Sequence, residues 1–223
     1  MNLGILLASR GLVHSRTIES IQESIDDFEV NKLNVKWFFT HDLPIPSAQN
    51  DLIKRALASE CDYLWMVEED MLIPQTALFA MYSQIAGGEY GVAALDYPLG
   101  KDTGESGILI KNGEVWWCAF GCMLVADWVF NKLEYPWIRN DKTWRIINHQ
   151  TYELEEQDIP NKYGGQDIQF GMTLKKLGIK IGIVPNLTAG HIKIIEKGKT
   201  GVNSGCHQVK IYDTIKHKRI YGS

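Results

Sequence analysis

YLWMVEEDMLIP, residues 63–74, joins an apolar run to three adjacent carboxylates. Its first five residues have the composition of a buried strand, and Glu68, Glu69 and Asp70 follow at once. Acids at a strand end are often simply solvated, and that interpretation stays open here. Three adjacent acids also repel one another, so any that are buried need a cation, hydrogen bonds or a proton. The segment therefore predicts either ordinary surface charge or a site for a divalent metal.

Apolar runs and amphipathic segments alternate along the first 100 residues. The apolar runs predict four strands, at 2–9, 35–40, 63–67 and 91–95. Between them, apolar residues at three- and four-residue spacing predict helices that start near Ser15, Ser47 and Pro74. This alternation is typical of an open α/β sheet with right-handed crossovers.

The pattern changes in the second half of the chain. Asn112-Gly113 between two β-rich runs predicts a hairpin. A short helix at 127–133, a long irregular loop at 134–164, a helix closed by Gly178 and a strand at 180–184 are expected next. The predicted fold class is α/β, a mixed and mostly parallel sheet flanked by helices, with a β-hairpin insertion. We expect a single domain over 1–223, since no linker or repeat divides the chain.

The composition narrows the cellular setting. The 223 residues are 45% hydrophobic with a formal net charge of -4, but residues 191–223 hold seven Lys or Arg against two acids. This basic segment is expected to be a solvated tail or to face an anionic partner such as a diphosphate. Four irregularly spaced cysteines predict buried thiols rather than disulfides or a zinc site. Neither a signal peptide nor a membrane-spanning segment is expected, which predicts a cytoplasmic protein.

The carboxyl ends of the strands hold the candidate functional groups, because ligands bind beyond those ends in open α/β sheets. Glu68, Glu69 and Asp70 lie at such an end, and so does the loop after Ser9. Carboxylate oxygens favour Mg²⁺ or Mn²⁺, with phosphate oxygens and water completing the coordination. Asp70 is the expected direct ligand. Glu68 is expected to reach the metal through water or to bind a nucleotide ribose.

Two further residues have both a structural and a functional interpretation. His191, in AGHI, is either a structural histidine or a nitrogen ligand, which would favour Mn²⁺. Asp167, in GGQDIQF, is either an ordinary acid in the first turn of a helix or a general base that faces the crevice. Gly164 and Gly165 would let a substrate approach the backbone closely.

The ordered series of these segments resembles the GT-A glycosyltransferases, and most closely their small members similar to family 2. The resemblance covers roughly residues 2–191. ASRG is similar to the nucleotide-binding start of the family, and SAQNDLIKRALASECDYLWMVEEDMLIP is similar to its helix, strand and DxD segment. AFGCMLVADWVF is similar to the acceptor-side stretch, GGQDIQFGMTLKKLG to the segment with the catalytic acid, and AGHI to the late metal-binding histidine. The chain departs from the family pattern at three positions. Glu68 replaces the first Asp of the usual motif, Gln166 stands where an acid commonly precedes the catalytic Asp, and Gln49 replaces an arginine before Asn50.

The resemblance implies a Rossmann-like GT-A fold with a nucleotide-sugar-binding half at about 1–100, an acceptor and catalytic half at about 101–192 and a basic segment at 193–223. It implies an inverting transfer of a sugar from a UDP- or GDP-linked donor to an acceptor hydroxyl, with Asp167 as base. The metal would be held by Asp70, His191 and Glu68. The residues expected to contact the nucleotide sugar are Ser9, Arg10, Asn50, Glu68, Glu69, Lys193, Lys197 and Lys199. Four tryptophans offer stacking surfaces for a sugar or base, namely Trp116, Trp117, Trp137 and Trp144.

Other functions stay open at this stage. One is a non-catalytic module that binds a nucleotide sugar, and another is a metal-dependent nucleotide-sugar hydrolase. A nucleotidyltransferase is disfavoured. That class has a glycine-rich, basic loop after its first strand, whereas ASRGLVHSR has only one glycine there. The acceptor of a transferase is left open among a glycan, a protein and a modified DNA base.

Overall fold

Five helices and fourteen strands are assigned in the described part of the chain. The computed structural model describes residues 1–9, 11–28, 33–41, 43–99, 104–148, 153–158, 165–196 and 207–221. The helices are α1 (Ser15–Asp26), α2 (Ser47–Ala58), α3 (Ala77–Ala86), α4 (Asp127–Asn131) and α5 (Gln166–Lys176). The strands are β1 (Asn2–Ala8), β2 (Asn34–Thr40), β3 (Tyr63–Glu68), β4 (Met71–Leu72), β5 (Val92–Asp96), β6 (Glu105–Lys111), β7 (Glu114–Cys118), β8 (Cys122–Ala126), β9 (Lys142–Asn148), β10 (Glu153–Asp158), β11 (Ile181–Thr188), β12 (Gly190–Glu196), β13 (His207–Tyr212) and β14 (His217–Tyr221). Of the helices described, none is long and apolar enough to cross a membrane.

A six-stranded sheet forms the centre of the fold, with strand order β11-β5-β8-β3-β1-β2. β1 is parallel to β2 and β3, and β11 is parallel to β5, whereas β8 runs antiparallel between β3 and β5. The β6–β7 hairpin turns at Asn112 and Gly113, both at positive φ, as the Asn-Gly pair predicts. The predicted fold class, a mixed and mostly parallel sheet flanked by helices with a hairpin inserted, is confirmed.

The hydrophobic core lies between the central sheet and its helices. Leu3, Ile5 and Trp65 are fully buried, as the apolar strand runs predict. Gly4 allows α2 to approach β1, because a Cβ there would lie 3.3 Å from the Cβ of Ala56. Three cysteines are buried free thiols, as expected from their spacing: Cys61, Cys118 and Cys122. Cys206 lies outside the described residues.

α1 and α2 begin at Ser15 and Ser47, the residues that the sequence offers as their N-caps, and α3 begins three residues after Pro74. His14 rather than Ser15 caps α1, because its ring nitrogen accepts a backbone amide two residues further on. Ser47 is already the first residue of α2 instead of its cap. α3 begins at Ala77, because Pro74 starts a turn in which its carbonyl accepts from the Ala77 amide at 2.9 Å.

The predicted irregular loop at 134–164 is wrong in part, since β9 and β10 form an antiparallel hairpin within it. Lys142 on β9 forms ion pairs with Glu156 and Asp158 on β10. Charged cross-strand pairs of this kind stabilise a hairpin without the alternation of apolar and polar residues that identifies strands in a sequence. The strands were therefore difficult to recognise.

Where it is described, the C-terminal segment forms strands and is not a loose tail, although several of its side chains are exposed. β12 pairs with both β4 and β13 in a second sheet, and β14 runs parallel to β6 in a third. The small residues before His191 predict a turn after the last strand, but His191 lies in β12, within a sheet. The basic residues 197–206 fall outside the described residues.

Candidate active site

A cavity of about 260 Å³ opens at the carboxyl ends of β1 and β3. Its lining includes six residues that the sequence singles out, namely Ser9, Glu68, Glu69, Asp70, His191 and Lys193. The other lining residues are Ala8, Leu43, Ile45, Ala48 and Gln166. The fold thus brings the acidic segment and the late histidine to one place.

Backbone pairing sets the acidic turn against β12. Met71 in β4 lies opposite His191, and the carbonyl of Asp70 accepts from the Ile192 amide at 2.7 Å. The preceding turn is also tied to α1, since the carbonyl of Glu69 accepts from a backbone amide at the start of that helix at 3.1 Å. The position of the acids therefore depends on main-chain hydrogen bonds from two directions.

Asp70 contacts two nitrogen-bearing side chains through a single oxygen. Its Oδ2 lies 3.1 Å from His191 Nε2 and accepts from Lys193 Nζ at 2.8 Å. Burial acts to raise the pKa of Asp70, but the hydrogen bonds and charges of His191 and Lys193 outweigh burial and lower the pKa to about 2. Asp70 is therefore an anion at neutral pH, which a metal ligand has to be.

The ring of His191 is oriented through its second nitrogen. Nδ1 lies 2.9 Å from the carbonyl oxygen of Pro98, and because a carbonyl can only accept, Nδ1 carries the proton. Nε2 faces Asp70, and since an ionised carboxylate can also only accept, Nε2 is the donor in that contact when no cation is bound. The ring of Tyr97 packs edge-on against the imidazole, with centroids 5.7 Å apart. A carbonyl that fixes the tautomer in this way is the usual support of a metal-binding histidine.

The residues of the cavity fit a divalent cation that is held jointly with a ligand. Asp70 offers a carboxylate oxygen, His191 offers a ring nitrogen, and Glu68 adds a second carboxyl nearby. Within the described ranges, no group of three or more His, Cys, Asp or Glu side chains forms a ready-made metal cluster. A cation that also takes phosphate oxygens and water needs one or two protein ligands, so this donor set suits Mn²⁺ or Mg²⁺.

Glu68 ends β3 beside Asp70 and is half-buried. Burial first, and then the charge of Asp70, raise the pKa of Glu68 to about 7, while the charges of His191 and Lys193 act in the opposite direction. The charge of Asp70 therefore adds a crowding of negative charge to the burial that disfavours ionisation of Glu68. A bound cation would relieve that crowding.

Asp167 is the second residue of α5 and lies near the cavity without lining it. Gly165, at φ 82°, precedes the helix, and Asp167 Oδ1 accepts from the Ile168 amide at 2.9 Å. Burial raises the pKa of Asp167, although backbone hydrogen bonds and the charge of Arg219 oppose the rise. The charge of Asp167 also contributes to the raised pKa of Glu68, so the two carboxyl groups lie within electrostatic range of each other.

Three buried side-chain atoms have no hydrogen-bond partner among the described residues: Thr40 Oγ1, Gln49 Oε1 and Gln166 Oε1. Gln166 lines the cavity, and Gln49 lines an adjoining pocket of about 20 Å³ together with Glu68. Buried polar atoms normally have partners, so these atoms are available to a ligand. In the sequence, Gln49 and Gln166 stand out as departures from a family pattern. The signal that could have identified Gln49 is a polar residue on the buried face of an amphipathic helix.

Other residues singled out from the sequence lie elsewhere. Asn50 is buried, and its amide group donates to the carbonyl of Ile138 at 2.7 Å and accepts from the Ile138 amide at 3.0 Å. Its side chain therefore holds the backbone of a neighbouring segment and is absent from the cavity lining. The four tryptophans are also absent from that lining: Trp116, Trp117, Trp137 and Trp144. Arg10, Gly164, Lys197 and Lys199 lie outside the described residues.

Proteins of known structure share this fold at low sequence identity. No family model and no curated protein matches the chain. The crystal structure of A197 from STIV matches with a TM-score of 0.57 at 16% identity, covering 98% of this chain and 96% of that chain. This likeness concerns the fold alone.

The similar solved structures include glycosyltransferases. A mutant of the Drosophila β1,4-galactosyltransferase 7, in complex with manganese, UDP-Gal and xylobiose, matches with a TM-score of 0.49 at 13% identity, covering 98% of this chain and 71% of that chain. Glucosyl-3-phosphoglycerate synthase from Mycobacterium tuberculosis, in complex with Mn²⁺, UDP and phosphoglyceric acid, matches with a TM-score of 0.46 at 14% identity, covering 85% and 70%.

Proposed function

We propose that this protein is a metal-dependent glycosyltransferase of the GT-A type, similar to family 2, that acts on a nucleotide-sugar donor. The observation that carries the proposal is the Asp70–His191 pair, whose Oδ2 and Nε2 atoms lie 3.1 Å apart at the carboxyl edge of the sheet. Ligands bind at that edge in open α/β folds. The Pro98 carbonyl orients the imidazole as a metal site requires.

Six residues that line the cavity have proposed roles. Asp70 and His191 would hold Mn²⁺ or Mg²⁺, and the chemistry that the ion would supply is neutralisation of the diphosphate leaving group. Glu68 binds the ribose or the water shell of the ion. Lys193 contacts the diphosphate, and Ser9 and Glu69 border the nucleotide.

Asp167 is the proposed general base. Its carboxylate takes the proton of the acceptor hydroxyl while the hydroxyl oxygen forms a bond to the anomeric carbon of the donor sugar. The bond from that carbon to the phosphate oxygen breaks on the opposite face, and the nucleoside diphosphate leaves with the electron pair. The configuration at the anomeric carbon is inverted.

Calorimetric titration of nucleoside diphosphates, with UDP and GDP first, tests the proposed metal site. In the presence of Mn²⁺ we expect wild type to bind one of them, and Asp70→Ala to weaken that binding by at least about tenfold, because the ion loses a ligand. Asp26→Ala, which removes an exposed aspartate at the end of α1, is the matched control. If wild type binds no nucleoside diphosphate in a metal-dependent manner, the proposal is wrong.

Donor consumption with and without acceptor separates the proposal from the two alternatives. A hydrolase would consume a nucleotide sugar at the same rate in both conditions, and a binding module would consume none. A transferase consumes the donor faster when a suitable glycan, protein or modified-DNA acceptor is present. No feature of the cavity favours either alternative over transfer.

A further inference from the structure

β12 and β13 form an antiparallel ribbon, one face of which is turned toward Asp70. His191 lies directly opposite Tyr212, and Lys193 lies directly opposite Lys210. Directly opposite residues project from the same face, with Cβ atoms about 5 Å apart. Since His191 and Lys193 both contact Asp70, Lys210 also projects from the Asp70 side of the ribbon.

The position of Lys210 is not explained by stability. Its side chain is exposed, and no carboxylate in the described part of the chain pairs with it. Its cross-strand neighbour is a second lysine, and like charges directly opposite each other destabilise a sheet. Lys193 is neutralised by Asp70 at 2.8 Å, but that carboxylate is already shared with His191. Two adjacent cations beside a cavity, with one shared counter-charge, are an arrangement that suits an anionic ligand.

We propose that Lys193 and Lys210 together bind the phosphate groups of the ligand at the mouth of the Asp70 cavity. The assignment rests on the proposed function and deepens it, because it places part of the diphosphate site on β13. Lys193 lines the cavity and its side chain is 38% exposed, so the side chain is accessible to a ligand. Any cation held by Asp70 and His191 competes with Lys193 for the Asp70 oxygen. A Lys193 released in this way stands beside Lys210 and presents a pair of positive charges to phosphate.

Titration of phosphate-bearing and phosphate-free probes tests the lysine pair. The probes are UDP, GDP, uridine, guanosine and inorganic pyrophosphate, each with Mg²⁺, on wild type, Lys210→Gln and Lys132→Gln. Lys132 is a matched control, because it is exposed and lies away from the cavity. It follows α4, and the first amide of α4 donates to the carbonyl of Asp62. Asp62 precedes β3, whereas Glu68 ends that strand at the cavity. In Lys210→Gln we expect Kd for the bound diphosphate and for pyrophosphate to rise about fivefold, and less at high salt. Kd for the nucleosides should not change.

The outcomes distinguish the lysine pair from the proposed function. Equal diphosphate affinity in wild type and Lys210→Gln would overturn the proposal that Lys193 and Lys210 bind phosphate together. It would leave the proposal of metal-dependent nucleotide binding intact. An equal loss in Lys132→Gln would overturn it as well, since net charge would then be the cause. Lys210→Arg keeps the charge and should keep the affinity, which guards against a folding defect in the glutamine variant; a loss there would count against the proposal. Binding of pyrophosphate that depends on Lys210, with no binding of any nucleoside diphosphate, would support the pair and sink the proposed function.

Discussion

Asp70 and Asp167 are aspartates whose surroundings move their pKa values in opposite directions. Burial acts on both, but His191 and Lys193 lower the pKa of Asp70 to about 2, whereas the pKa of Asp167 stays raised. Different pKa values in neighbouring groups of the same type are compatible with the different roles proposed for these two aspartates. A permanently ionised carboxylate suits a metal ligand, and a more basic carboxylate suits proton abstraction.

Replacement of Asp167 by Asn should therefore separate chemistry from binding. We expect turnover with acceptor to fall by about a hundredfold or more, because the proposed base is lost, while Kd for the nucleoside diphosphate stays within about twofold. Steady-state kinetics and calorimetry on the same preparations provide both numbers. Asp26→Asn is the control for loss of an exposed aspartate. Unchanged turnover in Asp167→Asn would show that another group is the base.

At the scale of elements, the position of Asp167 depends on how closely α5 approaches β7. Gly171 lies in the middle of α5, and a Cβ there would be 2.4 Å from the Cβ of Trp117 and 2.6 Å from its Cα. These contacts are with Trp117 Cα and Cβ, which cannot move without the backbone. A Cβ at residue 171 therefore could not be accommodated by rotation of a flexible side chain. The missing side chain at residue 171 therefore sets the distance between the helix and the hairpin.

Gly171→Ala should push α5 away from β7 and move Asp167 with it. We expect a loss of about 2 kcal/mol in the free energy of unfolding, as for other overpacked positions, and a lower turnover. Chemical denaturation measures the first effect. Gly87→Ala is the matched control, because Gly87 has φ -74° and nothing lies within 4 Å of a Cβ at that position. Equal stability of wild type and Gly171→Ala would mean that the helix and hairpin can adjust.

At the scale of the whole molecule, the burial of Glu68 and the nearby charge of Asp70 couple stability to pH. Glu68 has its pKa raised from 4.5 to about 7, so the folded protein holds this proton more tightly than the unfolded chain does. Binding of that proton increases the free energy of unfolding. The increase is complete below pH 4.5 and is lost as the pH rises through about 7. A shift of this size corresponds to about 3 kcal/mol.

Comparison of wild type with Glu68→Gln should reveal this coupling. In metal-free buffer we expect the glutamine variant to gain stability relative to wild type by up to about 3 kcal/mol between about pH 4.5 and pH 8. Denaturation curves at a series of pH values measure the difference. The exposed Glu19→Gln serves as control and should follow wild type. Parallel curves for wild type and Glu68→Gln would contradict the raised pKa.

The sequence alone determined the elements whose signals are local. The apolar runs of β1, β2, β3 and β5, the helices between them and the hairpin at Asn112-Gly113 follow from periodicity and turn chemistry. Glu68, Asp70 and His191 were predicted as site residues from a position at or after the end of a strand and from the chemistry of their side chains, and Lys193 was predicted as part of a basic segment.

Only the tertiary structure decided which of these elements are neighbours. It inserted β8 antiparallel between β3 and β5, and it paired β12 with β4, so that His191 meets an aspartate 121 residues away. It also buried Gln49 and Gln166 without partners and set Lys210 opposite Lys193. Strand pairing depends on which surfaces the assembled core leaves adjacent, and a local sequence pattern contains no information about a partner so far along the chain.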